Sequence, residues 1–210
     1  DGPIRSSPKV GEGHVFFGAD DGFVYAINIL TGRRTFRYDA GSPIRSSPSL
    51  TTEMLYFGTE GGDFISLDFR GQNKWRFHAK KAITSSAFVA QGICYFSSLD
   101  STFYAVDAKS GWVIWRYRML KGSISSPIRV DTYAIVGSAD GNIYCVDANN
   151  AREIWKFQTD HQVSGSPVVY KESVYYGTAD GLFYSLELKT GRFRWKFATD
   201  GPITSAPIVY

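Results

Sequence analysis

Cysteine is scarce in this 210-residue chain, which holds only Cys94 and Cys145, and histidine is little commoner, with His14, His78 and His161. Two thiols are too few for a disulfide-stapled scaffold or a cysteine-rich metal fold, and the histidines lack metal-ligand spacing. They are expected in loops or at the surface. Long apolar runs are also missing, so no segment approaches the roughly 18 residues of a membrane-spanning helix. Nor is charge of one sign in excess: 23 Lys and Arg stand against 20 Asp and Glu, spread along the chain for a net +3. That balance argues against a nucleic-acid partner. There is no start methionine or signal peptide ahead of Asp1, and the expectation is a piece excised from something longer.

Turn and strand formers are abundant instead. Hydrophobic residues make up 43% and aromatic residues 16%, enough to bury a core, and 21 glycines accompany 13 tyrosines and 15 phenylalanines. No long stretch has a 3.6-residue apolar period, so the chain reads as all-β. Self-comparison finds a period of about 40 residues. A Ser-Pro step recurs at Ser7-Pro8, Ser47-Pro48, Ser86-Ala87, Ser126-Pro127, Ser166-Pro167 and Ala206-Pro207. Phe36, Trp75, Trp115, Trp155 and Trp195 form a second anchor. The turns Asp21-Gly22, Gly61-Gly62, Asp100-Ser101, Asp140-Gly141 and Asp180-Gly181 form a third.

The units divide at about 1–40, 41–79, 80–119, 120–159 and 160–199. Within the fourth, alternation predicts strands over Ile124 to Val130, Tyr133 to Ser138, Asn142 to Ala148 and Glu153 to Phe157. Asp140-Gly141 makes the tight central hairpin, since glycine accepts the positive φ. Four antiparallel strands per 40 residues, repeated in tandem, is the signature of a β-propeller blade, which buries its faces only against neighbouring blades.

The segments Gly137 to Phe157 (GSADGNIYCVDANNAREIWKF) and Gly177 to Phe197 (GTADGLFYSLELKTGRFRWKF) resemble the repeat of the quinoprotein (PQQ) dehydrogenase-like propellers. The likeness covers the whole chain and is closer to the non-catalytic branch that includes an outer-membrane assembly lipoprotein. No Trp-Asp pair of the WD type is present. The resemblance implies that Trp75, Trp115, Trp155 and Trp195 dock adjacent blades, with Phe36 a weakened copy. Catalytic relatives would bring an adjacent cysteine pair and calcium ligands, which this sequence lacks. The expectation is therefore no enzyme activity and no cofactor or metal site. The implied role is a protein-interaction scaffold, in a periplasmic or other extracytoplasmic setting, although the residues leave the compartment undecided. Alternatives are a ligand- or peptide-sensing propeller of a receptor-type or bacterial Ser/Thr kinase, or a fragment of a PQQ-dependent dehydrogenase.

In a tandem repeat a residue that fits its column is explained by the column. Cys145 shares one with Ala26, Ser66, Ala105 and Ser185, and Cys94 shares one with Val15, Leu55, Ala134 and Val174, so both read as small apolar groups. Asp before Gly is hairpin chemistry, and Asp68, Asp107 and Asp147 precede a second turn whose backbone they can bond. Arg37, Arg76, Arg116, Lys156 and Lys196 follow the anchor aromatics and are expected to be solvated or paired across strands; a basic band for an acidic partner is the alternative. Arg5 and Arg45 break a column taken to continue as Thr84, Ser125, Ser164 and Thr204, and are candidate channel contacts for an anion or peptide. The third unit departs further, with Ala87 for Pro, Ser101 for Gly, and the candidate edge contacts Lys80 and Lys81.

The opening motif DGPIRSSP returns as DGPITSAP at 200–207, which predicts a surplus inner strand over 200–210. Five closed blades would leave two strands competing for one place. The expectation is a segment of a propeller of about seven or eight blades, or self-association through the spare strand.

Overall fold

Every unit builds one four-stranded antiparallel sheet in sequential order, as tight hairpins between consecutive strands dictate. The computed structural model describes residues 2–208. The sheets comprise β1 (Lys9–Gly11), β2 (His14–Gly18), β3 (Phe23–Asn28) and β4 (Arg34–Asp39) in the first unit, then β5 (Ser49–Leu50), β6 (Met54–Gly58), β7 (Asp63–Asp68) and β8 (Asn73–His78). They continue with β9 (Phe88–Ala90), β10 (Ile93–Ser98), β11 (Thr102–Asp107) and β12 (Val113–Arg118), and with β13 (Ile128–Val130), β14 (Tyr133–Gly137), β15 (Asn142–Asp147) and β16 (Glu153–Gln158). The fifth is β17 (Val168–Tyr170), β18 (Ser173–Gly177), β19 (Leu182–Glu187) and β20 (Phe193–Ala198). No helix among the described residues is long and apolar enough to cross a membrane.

Inner strands come out shorter than expected, with β13 covering only Ile128–Val130 of the anticipated Ile124 to Val130. The Ser-Ser-Pro segment ahead of each, varied to Ser-Ser-Ala at 85–87 and Gly-Ser-Pro at 165–167, has other partners, and proline where present has no N–H for a ladder. Ser7 N–H donates to Ser47 Oγ at 2.8 Å, Ser47 to Ser86, Ser86 to Ser126, and Ser126 to Ser166, the last three at 2.9 Å. These bonds form a belt from unit to unit beside the inner strands, where β1 meets β5, β5 meets β9, β9 meets β13 and β13 meets β17. Ala206 has no hydroxyl with which to extend it. The surplus strand is likewise absent over 200–208, which carry no strand, and Val209 and Tyr210 lie outside the described residues. Ile203 nonetheless bonds Thr178 O through its N–H at 3.1 Å, as Ile44, Ile83 and Val163 bond Ala19, Thr59 and Ser138.

The core lies between sheets and not within them. One apolar cluster joins Phe16, Val24 and Ala26 to Leu55, Phe57 and Ile65, and the next joins Phe64 and Trp75 to Cys94, Phe96 and Tyr104. The same pattern links the third unit to the fourth and the fourth to the fifth. The second, third and fourth sheets thus each contribute a face to two cores and the first and fifth to one, the arrangement a blade needs because its small sheet has no interior of its own.

Candidate functional site

The anchor aromatics sit on the outer strand of each sheet, opposite the column of small residues: Ala26 faces Phe36, Ser66 faces Trp75, Ala105 faces Trp115, Cys145 faces Trp155 and Ser185 faces Trp195. A β-bulge follows each small residue and re-aims the strand. Three tryptophans then cross to the next unit. Trp75 Nε1 donates to Ala108 O at 3.0 Å, Trp115 to Ala148 O at 2.8 Å and Trp155 to Leu188 O at 2.8 Å. Gly111 and Gly191 lie so close to the faces of Trp75 and Trp155 that an added Cβ would come within 2.6 Å of the ring, and both have positive φ, so glycine is required twice over. Phe36 takes the same place over Gly71 but has no N–H to donate. Trp195 differs: it is 45% exposed, whereas Trp75, Trp115 and Trp155 are 7–8% exposed.

The remaining repeat columns are occupied by structural contacts. Asp107 Oδ1 accepts from Lys109 N, Ser110 N and Ser110 Oγ, and the Ser110 bonds hold its carboxyl below the usual range. Asp68 Oδ1 and Asp147 Oδ1 accept from backbone N–H groups of their own turns. Both cysteines are free and buried, on β10 and β15 in different units, and burial pushes both thiols well above their usual range. His14 bonds the Glu12 carbonyl, His78 meets Asp63 at 2.9 Å, and His161 lies 3.9 Å from Asp180. Within the basic column, Arg76 pairs with Asp63, while Arg37 lies over the Phe23 ring and Arg116 over the Tyr104 ring.

Arg5 and Arg45 are engaged as well. Arg5 Nε reaches Asp20 Oδ2 at 2.9 Å, Arg45 Nε reaches Asp20 Oδ1 at 3.1 Å, and Arg45 Nη1 reaches Glu60 Oε1 at 3.3 Å. This zigzag bridges the first two units and holds the Asp20 carboxyl below the usual range. Two neutralising acids therefore accompany the two arginines, and the expected anion site has no surplus charge. The signal was readable in the sequence, because Asp20 and Glu60 break a column that otherwise holds Leu99, Ala139 and Ala179. The column of Arg5 also needs correction. Ser125 belongs with the buried Ser6, Ser46 and Ser85, whose hydroxyls bond the second strand of their sheet, and Ile124 occupies the Arg5 register.

Lys80 and Lys81 part company. Lys81 is exposed and its carbonyl accepts from Ser98 Oγ. Lys80 lines a cavity of about 300 Å³ on the third unit, with Asp100, Thr102, Tyr104, Arg116 and Arg118. Asp100, a buried hairpin residue, accepts from Lys80 N at 3.2 Å and Tyr104 Oη at 2.7 Å, both through Oδ2. Tyr104 is pushed up to about 12 by burial and by that bond. Arg118 Nη1 donates to Asp100 O and Thr102 Oγ1. Lys80 stands out in the sequence as a departure from its column, whereas the rest of this cluster does not.

The profile of the family described as outer membrane protein assembly factor BamB matches residues 1–76, 44–130 and 100–209, which together span nearly the whole chain. The chain belongs to the BamB family. Comparison with curated proteins finds no match. Among solved structures, BamB from Moraxella catarrhalis superposes with a TM-score of 0.81 at 18% identity, over 97% of this chain and 66% of that one. A quinohemoprotein alcohol dehydrogenase from Pseudomonas putida HK5 gives 0.82 at 16% identity, over 94% of this chain and 42% of that one. The computationally designed Ika8 protein gives 0.70 at 16% identity, over 95% and 76%. The chain thus spans less than two thirds of the BamB structure and less than half of the dehydrogenase. These likenesses establish a PQQ-like β-propeller fold. A quinone cofactor held under an adjacent cysteine pair with calcium ligands does not fit the residues present. Cys94 and Cys145 are buried in separate blades, and no three of His, Cys, Asp and Glu gather in ligating positions among the described residues.

Proposed function

We propose that this BamB-family propeller is non-catalytic and serves as a rigid scaffold that binds another protein along one loop edge. The observation that carries this reading is where the repeat breaks. In every unit the segment leading into the inner strand bonds the hairpin between the second and third strands, as Asp20 N does to Pro3 O and Leu99 N does to Ala82 O. Arg5, Asp20, Arg45, Glu60, Lys80 and Arg118 all belong to that edge in the first three units. Residues that keep to their columns hold turns and joints together; among those that depart, Arg5, Arg45, Lys80 and Arg118 are charged and exposed, where recognition of a partner is read. The fold itself is shared by enzymes and non-enzymes, so the argument rests on these residues and not on the architecture.

Affinity capture from a native lysate tests the reading. The triple variant Arg5→Ala, Arg45→Ala and Lys80→Ala is expected to lose the partner, while Lys109→Ala with Lys189→Ala, on the opposite edge, keeps it. Equal capture by both variants would refute the assignment of the edge.

A further inference from the structure

The third and fourth units carry the same hairpin aspartate but treat it differently. Asp140 is saturated: Oδ1 accepts from Asn142 N and Nδ2, both at 2.8 Å, and Oδ2 accepts from Ser138 Oγ, Tyr144 Oη, Leu120 N and Lys121 N. In the third unit Thr102 stands in the place of Asn142 and supplies no amide. Asp100 is only 6% exposed, yet its Oδ1 has no hydrogen-bond partner among the described residues. A buried carboxylate oxygen left unpaired is costly, and such an orphan calls for an explanation.

Two of the three positive groups around it, Lys80 and Arg118, are also particular to this unit, while Arg116 belongs to the basic column that every unit shares. Lys80, Arg116 and Arg118 line the cavity, whereas the fourth unit has Leu120, Lys156 and Gln158 in those places and the fifth has Asp160, Lys196 and Ala198. The second unit places Asp63 where Thr102 stands, and Asp63 neutralises Arg76 and His78. No such acid serves the third unit, so three cationic side chains and one carboxylate line the cavity, and none of the three cations forms an ion pair among the described residues. A ligand that fits must bring negative charge for the cations and, beside it, a hydrogen-bond donor for Asp100 Oδ1.

We propose that this cavity binds an acidic residue of a partner polypeptide, its carboxylate on Lys80, Arg116 and Arg118 and a neighbouring backbone N–H on Asp100 Oδ1, an atom covered in the free chain that a small opening of the cavity wall exposes. A peptide presents both groups within one residue's span, and planar guanidinium groups suit a carboxylate. A cavity of about 300 Å³ exceeds what a single small oxyanion fills and sits at the lower end of ligand-sized sites. The proposal deepens the scaffold reading by naming what the loop edge recognises.

The probe is a blocked hexapeptide alternating glycine with glutamate, titrated into the full chain by calorimetry and by amide chemical-shift mapping. Its glutamine counterpart and inorganic phosphate are titrated in parallel. The glutamate peptide is expected to shift amides near residues 80, 100–104 and 116–118, and the glutamine peptide to leave them unmoved. Lys80→Ala with Arg116→Ala should weaken binding by about tenfold or more, the scale of a lost charge-assisted bond. Thr102→Asn restores the amide that the fourth unit uses; it should weaken binding by several-fold while the melting curve stays at or above wild type, which a folding defect would not do. Equal binding of the glutamine peptide, indifference to both variants, or phosphate binding of equal strength at the same residues would each overturn the proposal. If the peptide fails while lysate capture still depends on the loop edge, the cavity assignment falls and the scaffold stands.

Discussion

Trp115 and Trp195 occupy the same column, on matching strands and opposite equally small residues, yet one is 7% exposed and the other 45%. What separates them is a neighbour. Trp115 lies against the fourth unit and donates to Ala148 O, whereas Trp195 rests on Tyr175 and Phe183 of its own sheet. Between these extremes stands Phe36, which packs on Gly71 without a hydrogen bond, at a joint that the Asp20–Arg45 pair also crosses. A repeat fixes the chemistry a residue offers; the adjoining blade decides whether that chemistry is used.

The sharpest way to break the comparison is to remove the ring. Trp115→Ala should cost about 3–5 kcal/mol in urea unfolding, the range for truncating a buried aromatic residue. Next comes Trp115→Phe, which keeps the apolar face but forfeits the bond to Ala148 O and should cost about 1–2 kcal/mol. Trp195→Ala should cost no more than about 1 kcal/mol, because its ring is already half in water. A cost for Trp195→Ala equal to that for Trp115→Ala would mean that the fifth face is covered in solution. The smallest effect concerns the joint at Phe36. Arg5 and Arg45 lower the Asp20 carboxyl, so the pair's stabilisation is complete above the unfolded value near 3.9 and is lost as pH falls through the lower folded value. A carboxyl-carbon NMR titration should place the Asp20 midpoint below that of an ordinary aspartate, and Arg45→Ala should move it back up.

Much of this was legible in the sequence because a repeat compares itself with itself. The 40-residue period, the second to fourth strands of each unit and the hairpin glycines follow from the columns, as does the burial of both cysteines opposite or beside larger groups. The inner strands were not legible to their full extent: alternation continues through Ile124 and Ser126, but Ser126 N–H goes to Ser166 Oγ in the next unit and leaves the ladder. Pairing across two columns was missed for a similar reason. Arg5 and Asp20 each look like an isolated departure until the fold brings their 15-residue separation to 2.9 Å. The cavity on the third unit required a still finer comparison, since Thr102 is unremarkable in a strand and matters only because Asn142 does so much for Asp140.

The indole bonds from Trp75, Trp115 and Trp155 all reach 33 residues down the chain. That constant reach sets a schedule for synthesis. A joint cannot close when its tryptophan emerges from the ribosome; it must wait for the second turn of the following unit. At about 5–20 residues per second the delay is roughly 2–7 s, the same at each of these joints. The nascent chain therefore always carries one unsealed face behind its growing end, and the array matures as a travelling front, one blade behind translation.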